Sequence, residues 1–274
     1  MTKPFSLLLL GAGNMGGPLF NAWAQSGLRD TARSAVVDPN PSDRILTTCK
    51  EVGIAVNPVE DGNGYDVCVL AVKPQLFPTV LPDQDWPNMD QTLFVSIAAG
   101  VTVETIGQFL KEKVRAPRII RTMPNLPAAI GQGMTLLTET GSATAEDKAR
   151  TTALFDAAGA TLWCDSEEQL DRLMGVSGCG PAFVFLLAEA LEDAAVAQGA
   201  SQADARLLAE ATLIGAANHV RADGRPAGEL RAAVTSPGGT TAAGLSVLDD
   251  SAKGLRPLMD EAVAAAFKRA QELS

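Results

Sequence analysis

The stretch Leu7–Gly17, LLLLGAGNMGG, decides the fold. The run Phe5–Leu10 predicts a strand, and Gly11, Gly13 and Gly16 follow in G-x-G-x-x-G spacing directly before a helical stretch. Glycine permits the tight turn at the first position, lets backbone approach a pyrophosphate at the second, and lets the helix lie on the sheet at the third. Phosphates then meet the N–H groups and the positive end of that helix. The acidic residue expected on the adenosine ribose is Asp38, at the end of the second strand. A carboxylate there repels a 2′-phosphate and leans toward NADH, whereas Ser42 and Arg44 nearby could serve a phosphate. The plainer alternative is an Asp that merely ends a strand.

Outward from this loop, short β-rich runs alternate with helical stretches as far as Cys164, the pattern of βαβ units around a parallel sheet. The runs are Phe5–Leu10, Ala35–Val37, Val67–Val72, Leu93–Ile97, Arg118–Thr122, Met134–Thr138 and Thr161–Cys164. Gly27 is expected to end the first helix; Thr144 with Asp147 should cap the last, and Gly159 should stop it. After Asp165 the strand signals stop. Pro181 opens a helix closed by Gly199, Ser201 with Asp204 opens one running to Ala222, Pro226 starts a short third, and Ser251–Leu273 is a fourth. Their wide apolar faces, such as Phe183, Leu186, Leu187, Ala190, Leu191 and Ala194, could form a bundle alone or be buried against a second subunit, and the second is favoured. The expected division is therefore 1–164, a Rossmann-type doubly wound α/β domain, and 165–274, an all-α domain for dimerisation and substrate binding.

Composition agrees with one or two ordinary cores. The 274 residues are 46% hydrophobic and 20% charged, which excludes a disordered or fibrous chain. Lys plus Arg number 22 against 32 Asp plus Glu, and the net charge of −10 opposes nucleic acid and an anionic membrane surface alike. Cys49, Cys68, Cys164 and Cys179 show no paired spacing and read as reduced, mostly buried thiols, so no metal is expected. Lys3 followed by FSLLLLGAG loosely imitates a signal peptide, but the glycines suit a strand-turn-helix better. The longest apolar run is Pro181–Ala188, short of a membrane span, and the expectation is a soluble cytoplasmic protein.

Scarce residues prune the chemistry of hydride transfer. Tyr65 is the one Tyr and Val69 stands four residues on, so no Tyr-x-x-x-Lys acid exists. The one His, His219, lies in an Ala-rich helical stretch and reads as a surface residue, and zinc-dependent transfer lacks ligands. What remains is a substrate needing little acid from the protein, such as an imine that arrives protonated.

A second informative segment is Val234–Leu245, VTSPGGTTAAGL. Ser236, Pro237, Gly238 and Gly239 form a turn, and Thr240 or Thr241 can cap a following helix, which makes either a carboxylate site or simply a capped turn. Two further stretches sit just past central strands and read as lining: Ala71–Gln75 (AVKPQ) and Arg121–Asn125 (RTMPN). Lys73 in the first could act as an acid, or contact only cofactor phosphate or solvent.

These segments together resemble the Δ1-pyrroline-5-carboxylate reductase family. The resemblance runs in order along nearly the whole chain: GAGNMGG, AVKPQ, SIAAGV at Ser96–Val101, RTMPN, SGCGPAF at Ser177–Phe183, and VTSPGGTTAAGL. It implies a Rossmann domain, an interlocking helical domain, dimers often assembled into decamers, and NADP(H) or NAD(H) as cofactor, usually NADPH. It also implies that Gly13, Asn14 and Met15 meet cofactor phosphates, that Ala71, Val72, Lys73, Pro74, Ile97, Ala98 and Ala99 lie along the nicotinamide, and that Asn57 is near the adenosine ribose. Ser236 and the Gly238–Thr241 backbone would hold the substrate carboxylate, with the Thr241 hydroxyl facing the ring nitrogen. Three positions depart from the family's pattern: Cys179 for Ser, Phe183 for Tyr, and Lys253-Gly254-Leu255-Arg256 for Gly-Gly-Phe-Arg.

The expected activity is reduction of a cyclic imine to proline. Its rivals are a related Rossmann reductase acting on another imine or a 3-hydroxy acid, and a non-catalytic NAD(P)-binding sensor. Hydroxyacid enzymes of that shape place a Lys on the first long interdomain helix, and Ala182–Gln198 has none.

Overall fold

The computed structural model describes residues 4–26, 30–58 and 64–273. Lys3, and Gly27 as the expected end of the first helix, lie outside them. The described residues divide into two compact units, Met1–Cys179 with Phe267–Ser274, and Gly180–Ala266.

The first unit is built on an eight-stranded sheet of order β3-β2-β1-β4-β5-β6-β7-β8. The strands are β1 (Leu7–Leu10), β2 (Ala35–Val37), β3 (Ala55–Val56), β4 (Val67–Leu70), β5 (Leu93–Ser96), β6 (Arg118–Met123), β7 (Gly133–Glu139) and β8 (Gly159–Trp163). The helices are α1 (Gly16–Gln25), α2 (Asp43–Val52), α3 (Phe77–Val80), α4 (Val103–Leu110), α5 (Ala145–Asp156) and α6 (Glu167–Ser177). Side chains of a strand point alternately to opposite faces, and both faces here are apolar. Leu7 and Leu9 of β1 join one core with Leu19, Phe20 and Trp23 of α1, Ile45 and Cys49 of α2, and Phe155 of α5. Leu8 and Leu10 join the other with Phe77 of α3 and Ile106 and Leu110 of α4. That is the doubly wound architecture.

Several details differ from the sequence-based expectation. The sheet is parallel from β3 through β6, but β7 runs antiparallel to β6. The chain between them makes only a short 3-10 turn, Leu126–Ile130, too short for a parallel crossover. Gly159 does not stop α5, which ends at Asp156; with φ +145° it opens β8, where a Cβ would lie 2.1 Å from the Gly133 carbonyl oxygen. Helix α6, which the sequence reading passes over, is announced by Ser166, whose hydroxyl accepts from the Gln169 N–H. The expected cap of α5 is present in full, as a reciprocal box between Thr144 and Asp147.

The second unit is helical: α7 (Gly180–Ala197), α8 (Gln202–Asp223), α9 (Ala227–Ala233), α10 (Thr240–Leu248) and most of α11 (Leu255–Leu273). Ser201 caps α8 through the Asp204 N–H, and Gly199 turns with φ +98°. Helix α11 starts at Leu255 rather than Ser251, because the Asp250 carboxylate accepts from the N–H groups of Ala252 and Lys253 and holds that segment in a turn. No residue of α7 or α10 is buried within the chain. Phe185, Leu186, Leu187, Leu207, Leu208, Ile214, Val247 and Leu258 are all exposed, the kind of apolar surface that marks an association site.

One helical stretch, Glu167–Ala197, is long and apolar enough to cross a membrane by length and composition. This corrects the expectation that no run approaches a span. The uncharged Ser, Gly and Cys of Ser177–Gly180 join Pro181–Ala188 to the apolar residues before it.

Candidate active site

In the first unit the chain leaves β1 toward one face, while the neighbouring β4 feeds the other, so a crevice opens beyond the carboxyl ends of these two strands. Three backbone bonds set its floor: Gly11 N–H to the Val37 carbonyl, Ala71 N–H to that of Leu10, and Ile97 N–H to that of Leu70. Strand β4 ends at Leu70 rather than Val72 because the chain must pass over Gly11. A Cβ on Gly11, which has φ +91°, would come within 2.8 Å of the Ala71 carbonyl oxygen, and one on Gly16 within 2.3 Å of the Gly11 carbonyl oxygen. Gly13 is different. A Cβ there would meet nothing within 4 Å, so packing does not demand glycine, and the space lies over exposed Gly13 and Asn14 and half-buried Met15. Among the described residues the N–H groups of these three have no acceptor, and they stand at the positive end of α1. The cradle fits a diphosphate.

Gly16→Ala should therefore destabilise the first unit by about 1–3 kcal/mol through overpacking and abolish dinucleotide binding, as read by thermal melting and by titration with reduced cofactor. A variant with unchanged affinity would remove the loop from the site.

Asp38 lies at the crevice's edge, half-buried. Its Oδ2 accepts from the Ala12 N–H at 2.7 Å and its Oδ1 from the Asn40 N–H at 2.8 Å. Asn57, in the left-handed region at φ +47°, brackets the Asp38 backbone: its Oδ1 accepts from the Asp38 N–H and its Nδ2 donates to the Asp38 carbonyl. Ser42 caps α2 through the Ile45 N–H, and Arg44 is exposed. Val72 and Pro74 are half-buried with Ala71, Lys73 and Ala99 are exposed, Ile97 is half-buried and Ala98 buried. These residues line the ends of β4 and β5. Ser96 turns the chain there by accepting the Ala98 N–H on its hydroxyl, which is why β5 stops before Ile97.

The segment RTMPN is not lining. Arg121 is 1% exposed, and its guanidinium is held by Glu167 at 3.2 Å and Asp171 at 2.5 Å, while Glu167 also accepts from the Val103 N–H at the start of α4. Asn125 donates to the Ser177 carbonyl and accepts from the Met134 N–H. Both residues fasten α6 to the sheet. Of the rare residues, His219 is exposed on α8 as expected, and Tyr65 is buried edge-on against Trp86. His219 does have a carboxylate one turn on, Asp223 at 3.9 Å, though Arg225 beside Asp223 holds that carboxyl below the usual range. Cys49, Cys68 and Cys164 are buried and Cys179 is half-buried; burial pushes the Cys68 thiol far up, which keeps it inert.

In the second unit, Ser236–Gly239 form a turn closed by the Gly239 N–H on the Ser236 carbonyl, with Gly238 at φ +68°. The cap of α10 is Gly239 rather than either threonine, and it has no side-chain bond. Ser236, Thr240 and Thr241 are exposed, and among the described residues their hydroxyls have no partner. Uncommitted donors at the N-terminus of a nine-residue helix suit a carboxylate. At the other end of α10, Asp249 binds Arg231 of α9 and Arg256 of α11, so the departing segment Lys253–Arg256 keeps an anchored arginine. Arg256 beside Asp249 holds its carboxyl below the usual range.

Comparison with known proteins gives the two halves one context. A family model described as pyrroline-5-carboxylate reductase dimerisation matches residues 167–273, and one described as NADP oxidoreductase, coenzyme F420-dependent, matches residues 6–100. The pyrroline-5-carboxylate reductase of Pisum sativum is 36% identical over 276 residues, covering 100% of this chain and 98% of its own. The chain belongs to the pyrroline-5-carboxylate reductase family. The reductase of that name from Escherichia coli strain K12 is 34% identical over 97% of both chains. Among solved structures, a pyrroline-5-carboxylate reductase from Coxiella burnetii superposes with a TM-score of 0.88 at 32% identity, covering 100% of this chain and 99% of its own. The Plasmodium falciparum pyrroline carboxylate reductase with NADP bound gives 0.82 at 26% identity, with 100% and 99% covered. The dimerisation match over 167–273 spans the helices whose apolar faces one copy leaves open, and the family member thus carries a self-association domain.

Proposed function

We propose that the chain reduces 1-pyrroline-5-carboxylate to L-proline with NADPH or NADH, the last step of proline biosynthesis. The observation that carries this is identity of 36% along the whole length to a reductase of that name. The uncommitted donors at Gly13–Met15 and at Ser236, Gly238, Thr240 and Thr241 suit a diphosphate and a carboxylate.

Gly11 and Gly16 shape the cradle, and the Gly13, Asn14 and Met15 N–H groups hold the cofactor phosphates. Asp38 accepts from the adenosine ribose with Asn57 bracing it, while Ala71, Val72, Lys73 and Pro74, with Ile97, Ala98 and Ala99, flank the nicotinamide. A reduced nicotinamide held there would supply the hydride that the imine carbon takes up. Ser236, with the backbone N–H groups of Gly238, Thr240 and Thr241, fixes the substrate carboxylate, while the Gly239 N–H stays on the Ser236 carbonyl and holds the turn; the Thr241 hydroxyl meets the ring nitrogen and keeps its proton in place. Positioning and electrostatic stabilisation do the work, in keeping with a chain that offers no histidine acid. The Rossmann domain at 1–164 thus serves the cofactor, and 165–274 serves substrate and assembly.

A homodimer accounts for the open faces of α7, α8 and α10, and a decamer of five dimers is the larger assembly proposed. A second copy is a better cover than lipid for Glu167–Ala197, since Glu189, Glu192 and Asp193 ride on its last turns. The place of action proposed is the cytoplasm, without nucleic-acid or membrane partners.

Thr241→Ala should cut kcat/KM for the imine about 10- to 100-fold, the worth of one hydrogen bond to a charged or developing centre, and leave the cofactor Kd unchanged. Steady-state kinetics with a parallel binding titration checks this. Unaltered kinetics would remove Thr241 from the mechanism.

A further inference from the structure

We propose that the cofactor site prefers NADH to NADPH, with Asp38 as the specificity-determining residue. The inference rests on the proposed dinucleotide reading of the crevice and goes beyond it.

Two observations at the end of β2 carry it. First, the carboxylate is fixed. Ala12 and Asn40 donate to its two oxygens at 2.7 and 2.8 Å, and the Asn57 side chain grips the backbone N–H and carbonyl of the same residue at 2.9 and 2.8 Å. A side chain tied at both oxygens, on a backbone tied at both sides, cannot swing aside to admit a dianion. Second, its charge is uncompensated: among the described residues no Lys or Arg nitrogen lies within ion-pair distance of Asp38.

Each carboxylate oxygen keeps lone-pair capacity beyond its one N–H donor, enough to accept from ribose 2′- and 3′-hydroxyls. A 2′-phosphate has no hydroxyl to donate at that position and brings about two negative charges against a fixed one. The bond to Ala12 ties the same carboxylate to the glycine loop. Adenosine recognition and phosphate recognition are thereby set by one side chain.

The test is direct binding, measured by quenching of intrinsic fluorescence or by calorimetry on the full chain, with NADH and NADPH in turn. The fragments ADP and 2′,5′-ADP, tested as competitors, isolate the adenosine end from the nicotinamide. The wild-type chain should bind NADH at least tenfold more tightly than NADPH, and ADP more tightly than 2′,5′-ADP. Asp38→Asn keeps an oxygen for the Ala12 N–H and removes the charge, so it should fold with a near-native melting temperature and lose most of the discrimination. Asp38→Ser should carry the ratio to NADPH. Equal or tighter binding of NADPH by the wild-type chain, or an unchanged ratio in a folded Asp38→Asn, would overturn the inference while leaving the dinucleotide site intact. Binding of neither cofactor would overturn the reading of the crevice, and this inference with it.

Discussion

Arg121→Met is expected to lower stability by about 3 kcal/mol in reversible denaturant unfolding. The guanidinium is buried, with its side chain 2% exposed, between the Glu167 and Asp171 carboxylates, which are 22% and 18% exposed. Taking one partner from a buried ion network leaves the others charged and undercompensated, which costs about 3–5 kcal/mol, and the partial exposure of both carboxylates places the effect at the lower end. The consequence reaches beyond the ion pair, because Glu167 also holds the Val103 N–H and α6 carries Asp171. Loosening α6 should therefore raise amide exchange at the start of α4 as well. The triple variant Arg121→Met, Glu167→Gln, Asp171→Asn should recover part of the loss, since it removes the stranded charges together. A triple variant no more stable than the single one would show that the loss comes from packing of the arginine stem.

Leu186→Asp is expected to leave a monomer that still binds reduced cofactor. Leu186 is 63% exposed within one chain, on a helix with no buried residue, beside Phe185 and Leu187. An isologous interface would bring the new carboxylate in twice, once from each copy. Desolvating each costs several kcal/mol, so association should weaken on the order of a hundredfold or more. Light scattering reads the mass, and fluorescence titration reads cofactor affinity. A variant that remains dimeric would place the interface on other helices.

How much of this was legible in the sequence depended on how local each cause is. The glycine loop could be read because its requirements lie within a few residues: a positive φ at Gly11 and a missing Cβ at Gly16. The caps at Thr144 and Ser201 were equally local, and both are present. Strand ends were less legible. Asp66 draws the Ser6 N–H away from the start of β1, and the close pass of Ala71 over Gly11 ends β4, both being contacts across about sixty residues of chain. Arg121 was misread for the same reason. Its position beyond a central strand suits a ligand-lining residue, and only Asp171, fifty residues away, turns it into an internal anchor. The two-residue β3 and helix α6 had weaker signals, although Ser166 three residues before Gln169 was an available one. At Ser236–Thr241 the spacing located the turn and missed that Gly239 is the cap, which leaves both threonine hydroxyls uncommitted.

The measurement that bears most directly on the account is reduction of 1-pyrroline-5-carboxylate by the purified full-length chain, with loss of reduced-cofactor absorbance and appearance of proline followed in the same sample. One proline should appear for each NADH or NADPH consumed, with no consumption when the imine is omitted. Cofactor that binds yet is not oxidised in the presence of the imine would contradict the account and leave a nucleotide-binding protein without this activity.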